Sequence, residues 1–206
     1  MLTNDLHAIH DRATVRSLVD QYGWALMAST NPDGSPIVSH LPVVLDPAAD
    51  DCTILGHVAR IDADEHHLGE RDVVIVIEGV QGYVSPTLYG DAGPYVPTWN
   101  FVVLHLHGRP QVLDEHETWN VLQRTVAHFE RDYTRPWDLR TVDAYAQSLR
   151  PHVTGFRLRP SRVVTKAKLS QDKPREVVQR VIAGFAEDGE YANPALARAM
   201  RELADA

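Results

Sequence analysis

The chain has 206 residues, 44% of them apolar and 23% charged, with a formal net charge of −8, enough for one domain with a core of its own. Its single cysteine, Cys52, excludes an internal disulfide framework and a cysteine-rich zinc site and suits a reducing, cytoplasmic home. The acidic balance is the wrong sign for a protein that neutralises nucleic-acid phosphates; no long apolar run predicts a membrane span, and the N-terminus lacks the basic start and apolar core of a secretory leader.

In chain order, "DRATVRSLVDQY" (11–22) predicts a short helix with Val15, Leu18 and Val19 on one face. "WALMAST", "NPDG" and "SPIVSHLPVVLD" follow as strand, turn and strand, with Asp33-Gly34 as the hairpin signal. Along the second strand Ser39 and Leu41 share one face, and His40 and Pro42 the other. Pro42 cannot donate to a ladder, so this strand is expected at an edge, or unpaired at that point. "CTILGHVAR" (52–60) reads as a strand, "IDADEHHLGER" as a short helix, and "DVVIVIEG" (72–79) as a strand buried on both faces.

The segment "GYVSPTLYGDAGPYVP" is punctuated by proline and glycine and reads as a loop. "PTWNFVVLHLHGRP" (97–110) is a long alternating strand with Val102, Leu104 and Leu106 inward and His105 and His107 on the other face. Residues 115–132 carry Trp119, Leu122, Val126 and Phe129 at helical spacing, which predicts one buried stripe. A second helix, "DAYAQSLRPHV", ends near Pro151, and "VTGFRLRPSRVVTKAKL" returns to strand. "REVVQRVIAGFAED" is a helix with Val177, Val178, Val181, Ile182 and Phe185 inward, and "PALARAMRELADA" a last helix. Six strands weighted to the first half, with helices grouped later, point to α+β built on an antiparallel sheet or barrel.

Several stretches could carry chemistry. In "LGHVAR", Gly56 permits close backbone approach, His57 offers a donor or acceptor, and Arg60 a fork of donors for phosphate oxygens; the same residues also read as a strand end with a surface arginine. In "KAKLSQDKP", Lys166 and Lys168 project to one side, and Ser170 and Gln171 sit where the strand breaks before a helix. That junction reads as an anion seat or as ordinary helix capping. Trp99 could wall a planar ligand, with Thr98 and Asn100 addressing its polar edge. No cysteine or carboxylate stands at ligand spacing from His105 and His107, so no metal is expected there. No Gly-x-Ser-x-Gly, P-loop or glycine-rich dinucleotide loop occurs.

Taken together, "SHLPVVLD", "LGHVAR", "YVSPTLY", "VPTWNFVVLHLHGRP" and "KAKLSQDKP" resemble the PaiB-type FMN-binding negative transcriptional regulator family over roughly residues 20–187. The resemblance implies a six-stranded antiparallel split β-barrel with peripheral helices and a helical C-terminus, forming a homodimer with FMN near the subunit interface. Residues 1–187 would be the FMN-binding domain and 188–206 a helical extension. Carried onto this chain, Arg60, His57 and neighbouring Val58 would lie near the ribityl phosphate, with Lys168, Ser170 and Gln171 completing that seat. Ser39, His40, Leu41, Thr98, Trp99 and Asn100 would line the isoalloxazine. Asp62 and Leu88 stand where the family carries an amide and an indole.

Three functions compete: an FMN-binding regulator or sensor acting through a partner, a flavin-dependent oxidoreductase using NAD(P)H on a small molecule, and a dimer that has lost flavin and binds another anionic or planar ligand. The acidic charge and the lack of a basic helix-turn-helix argue against direct operator reading.

Overall fold

The computed structural model describes residues 5–91 and 93–205; the start of the N-terminal segment "LTNDLHAIHD" lies outside the described residues. Eight strands appear among those residues: β1 Trp24–Thr30, β2 Pro36–Leu45, β3 Ile54–Ala59, β4 Val73–Val84, β5 Thr98–Gly108, β6 Gln111–Val112, β7 Val153–Leu158 and β8 Arg162–Lys168. The helices are α1 Arg12–Gln21, α2 Arg60–Glu65, α3 Glu115–Glu130, α4 Asp143–Leu149, α5 Arg175–Ala186 and α6 Pro194–Ala204. The class is α+β as expected, but the strand count is eight and not six. Two features account for the difference. The chain breaks at Arg159-Pro160-Ser161, where proline supplies no ladder donor, so one expected strand becomes β7 and β8. The two residues of β6 add a short edge beside β7.

Two compact units are present. Unit 2 takes in residues 11–77 and 105–163. Its strands run in the order β6-β7-β3-β2-β1-β4, and the registered pairs are antiparallel, including Ala25↔Ile77 between β1 and β4 and Ala59↔Val153 between β3 and β7. Met27, Val43, Ile54, Ile75, Phe156 and Leu158 are fully buried on its inner face. The β2–β3 ladder stops at Val43↔Gly56, so, among the described residues, positions 36–42 of β2 pair with β1 alone. Pro42 is therefore not on an edge strand, yet its missing N–H falls where no β3 ladder runs.

Helix α3 covers this sheet, capped by Asp114 and Glu117 in a reciprocal capping box. Its buried residues are Thr118, Val121 and Thr125, not the expected stripe, of which Trp119, Leu122 and Val126 are half-buried and Phe129 exposed. The reason lies on β7: Gly155 has no side chain, so Thr118 comes close enough for its hydroxyl to accept the Gly155 N–H at 3.1 Å. The helix is rotated toward that contact, and Phe129 stays exposed.

Unit 1 takes in the described parts of residues 1–10, 78–104 and 164–206. In it β5 lies between β4 and β8. Helix α5 buries Val177, Val178, Val181, Ile182 and Phe185, the face expected from its periodicity. Helix α6, capped by Asn193, packs Leu196, Ala197 and Met200 inward. Helix α6 meets β4 at Gly82, where a Cβ would sit 2.7 Å from Leu196, and α5 meets the 3-10 turn Pro86–Tyr89 at its own Gly184, where a Cβ would sit 2.5 Å from Leu88. Leu88 thus fills the space over Gly184. No helix of the described residues is long and apolar enough to cross a membrane.

Candidate functional site

The predicted positions divide between the two units, and each group has its own geometry. In unit 2, Ser39 and His40 lie on the stretch of β2 that lacks β3 as a partner. Ser39 is half-buried, and its hydroxyl is 3.0 Å from His66 Nε2. His66 is fully buried, and its Nδ1 is 2.7 Å from the Ser29 hydroxyl. Burial holds the His66 imidazole below its usual pKa, although Asp62 and Glu65 pull the other way. A neutral ring between two hydroxyls donates to one and accepts from the other, which orients Ser39. Sequence reasoning missed His66, because "DEHHLGER" offers no periodic signal for which histidine turns inward.

His40 is exposed and stacks on Trp24, with ring centres 6.3 Å apart. Leu41 and Val58 are core side chains. His57 is half-buried, with a lowered pKa caused by burial, and its Nδ1 is buried without a hydrogen-bond partner. Arg60 is exposed at the start of α2, and its Nε donates to the Pro151 carbonyl at 2.6 Å. That contact follows from the Ala59↔Val153 pair, which carries the chain near residue 150 to the end of β3.

In unit 1 the alternation of β5 sends Asn100, Val102 and Leu104 inward and leaves Trp99 exposed and Phe101 half-buried. On β8, Thr165 and Ala167 are buried and Lys166 and Lys168 half-buried. Lys166 Nζ lies 5.8 Å from the Phe101 ring centre, and Lys168 Nζ donates to the Thr98 hydroxyl. Tyr83 meets Trp99 edge-on at 6.2 Å. This gathers two ammonium groups and three aromatic rings.

The remaining predicted polar groups are engaged within the chain. Asn100 Nδ2 donates to the Ser170 hydroxyl at 2.9 Å, and that hydroxyl stands 3.1 Å from Asn100 Oδ1. Ser170 has φ +67, a left-handed conformation rare outside glycine, and the Asn100 amide clamps it there. Gln171 folds back: its Oε1 accepts from Leu169 N at 2.7 Å and its Nε2 donates to the Ala167 carbonyl at 2.7 Å. "KLSQ" is thus a locked turn whose Lys168 is held beside Thr98.

His105 and His107 take the half-buried face of β5, and Val102, Leu104 and Leu106 the buried face, as expected. His107 lies 3.1 Å from Arg162 Nη2. Burial lowers the pKa of both histidines, and for His105 the neighbouring His107 adds to it. Among the described residues no group of three or more His, Cys, Asp or Glu could hold a metal ion.

Residues 1–162 match the family described as "Putative FMN-binding domain". The chain belongs to this FMN-binding family. The protease synthase and sporulation protein PAI 2 of Bacillus subtilis is 26% identical over 156 residues, covering 74% of each chain. Among solved structures, the FAD and heme binding protein from Mycobacterium smegmatis shares 13% identity at a TM-score of 0.59, over 86% of this chain and 80% of that one. The flavocytochrome Anf3 from Azotobacter vinelandii shares 16% at a TM-score of 0.54, over 78% and 68%. At such identities these likenesses show the fold.

Each unit by itself offers groups that fit part of a phosphorylated aromatic cofactor: in unit 2 the Arg60 guanidinium suits phosphate oxygens, and in unit 1 Lys166 and Lys168 stand beside Trp99, Tyr83 and Phe101, whose rings suit a planar anionic group.

Proposed function

We propose that the chain binds FMN as a split-barrel homodimer and serves a redox or sensing role related to that of PaiB-type regulators. The observation that carries this reading is the family match over residues 1–162, which includes Arg60, a guanidinium tethered only through Nε to Pro151. Both Arg60 Nη groups have no hydrogen-bond partner among the described residues and suit phosphate oxygens. Lys166 and Lys168 add positive charge beside exposed aromatic surface, and Ser39, oriented by His66, presents a fixed hydroxyl.

A flavin supplies one- and two-electron chemistry; the protein's own contribution is binding, orientation and electrostatics. In this reading Arg60, within unit 2, neutralises phosphate charge, and Trp99 and Tyr83, within unit 1, offer ring surface of their own that excludes water. Homodimerisation is supported by the outward residues of β1 and β2, where Trp24 is 62% exposed and Val38 51% exposed beside His40. Any regulatory effect would pass through a partner protein in the cytoplasm, because the net charge of −8 opposes phosphate binding along a duplex.

Purified protein titrated with FMN tests the reading. A bound flavin spectrum and a dimer in sedimentation are expected. Protein that stays colourless with excess FMN sinks it and leaves a different anionic or planar ligand. Oxidation of NAD(P)H by the FMN-loaded protein separates an oxidoreductase from a sensor.

A further inference from the structure

A cavity of about 60 Å³ lies beside Arg60 within unit 2, walled by Arg150, Glu115, Thr118 and Thr154. At roughly 15 Å³ per water-sized position, that space holds about four such positions, the scale of a tetrahedral oxyanion. The two arginines and one glutamate leave it with a net positive charge.

Both guanidiniums are held in place. Arg60 Nε is tied to the Pro151 carbonyl at 2.6 Å. Arg150 Nη1 donates to Gln147 Oε1 at 2.6 Å, and its guanidinium carbon lies 6.0 Å from the Trp119 ring centre. Glu115 approaches Arg150 Nη2 at 3.4 Å, but its side chain is 86% exposed, so solvent screens its charge. Arg150 Nε is buried with no partner. A guanidinium fork fits carboxylate and phosphate oxygens alike, and two such cations together favour the more highly charged phosphate dianion over a carboxylate or a neutral polar group.

We infer that the Arg60–Arg150 cavity is a phosphate seat, with Arg150 as its second cation, taking a phosphate monoester dianion. It rests on the flavin reading only so far as FMN is the source of that phosphate; free inorganic phosphate is the other source. Arg150 stands ninety positions from Arg60 in "SLRPHV", which carries no phosphate signal, and only the β3–β7 pairing brings the two together.

The test is calorimetric titration of the intact wild-type chain, Arg150→Lys and Arg150→Gln with FMN, riboflavin and inorganic phosphate. Wild type should bind FMN more tightly than riboflavin, with inorganic phosphate as a competitor of FMN. Arg150→Gln should lose roughly tenfold to a hundredfold in FMN affinity with riboflavin unchanged. Arg150→Lys, which keeps the charge and loses the fork, should fall between and gives a second readout should the glutamine variant fold poorly. If Arg150→Gln or Arg150→Lys binds FMN and phosphate as wild type does, the phosphate seat is overturned while the flavin reading stands. If neither flavin binds but inorganic phosphate does, and Arg150→Gln abolishes it, the seat stands and the flavin reading fails. If wild type binds no inorganic phosphate and does not distinguish FMN from riboflavin, the seat is overturned.

Discussion

Replacing Asn100 with alanine tests whether the head of β5 is a clamp or a ligand contact. Asn100 is 0% exposed and makes two mutual contacts with Ser170, at 2.9 and 3.1 Å. Removing the amide loses net hydrogen bonding worth about 1 kcal/mol. It also strands the Ser170 hydroxyl, 2% exposed, at a further cost of about 1–3 kcal/mol. The turn that keeps Ser170 at φ +67 is then left to the Gln171 bonds and to the Lys173 N–H, which donates to the Ser170 carbonyl at 3.0 Å. The expected loss is about 2–4 kcal/mol, or a fall in melting temperature of roughly 5–15 °C for a chain of this size. Circular dichroism during heating and a urea titration measure it. The double variant Asn100→Ala/Ser170→Ala should be more stable than the sum of the single losses implies, because no buried polar group is left alone. A stability change under about 0.5 kcal/mol, the size of an ordinary surface substitution, together with a large fall in FMN affinity, would refute the clamp and make Asn100 a ligand contact.

Three further outcomes are expected. Arg60→Ala should weaken FMN binding by roughly 1.5–3 kcal/mol, the range for hydrogen bonds to a charged group; unchanged affinity in a fluorescence titration removes Arg60 from the phosphate. Gly155→Ala should destabilise by about 1–3 kcal/mol, because its Cβ would stand 2.9 Å from Thr118 Cα; a wild-type urea midpoint would contradict the close approach of α3 to β7. His57 and His66 have pKa values lowered by burial, so the unfolded chain binds more protons than the folded one once the pH drops below about 6.5. Stability should be fully present above that value and fall as the pH drops through it, and a urea midpoint that is flat down to about pH 5.5 would show these rings to be freely solvated.

Local patterns in the amino-acid sequence determined the faces of β5 and α5, though not that of α3. The alternation through Val102, Leu104 and Leu106 and the spacing of Val177, Val181 and Phe185 each reach the core as read, because period-two and period-3.6 apolarity acts within one element. The family, too, was legible in short strings such as "PTWN" and "KLSQ". What those strings do was not legible. Asn100 and Ser170 are seventy positions apart, and only their packing reveals that the amide serves the turn. His66 between Ser29 and Ser39, Arg150 beside Arg60, and the rotation of α3 onto Gly155 likewise depend on which strands pair. Tertiary structure decided these points because a side chain's apolarity says whether it is buried, whereas a polar group's role is set by the partner that the fold brings within about 3 Å of it.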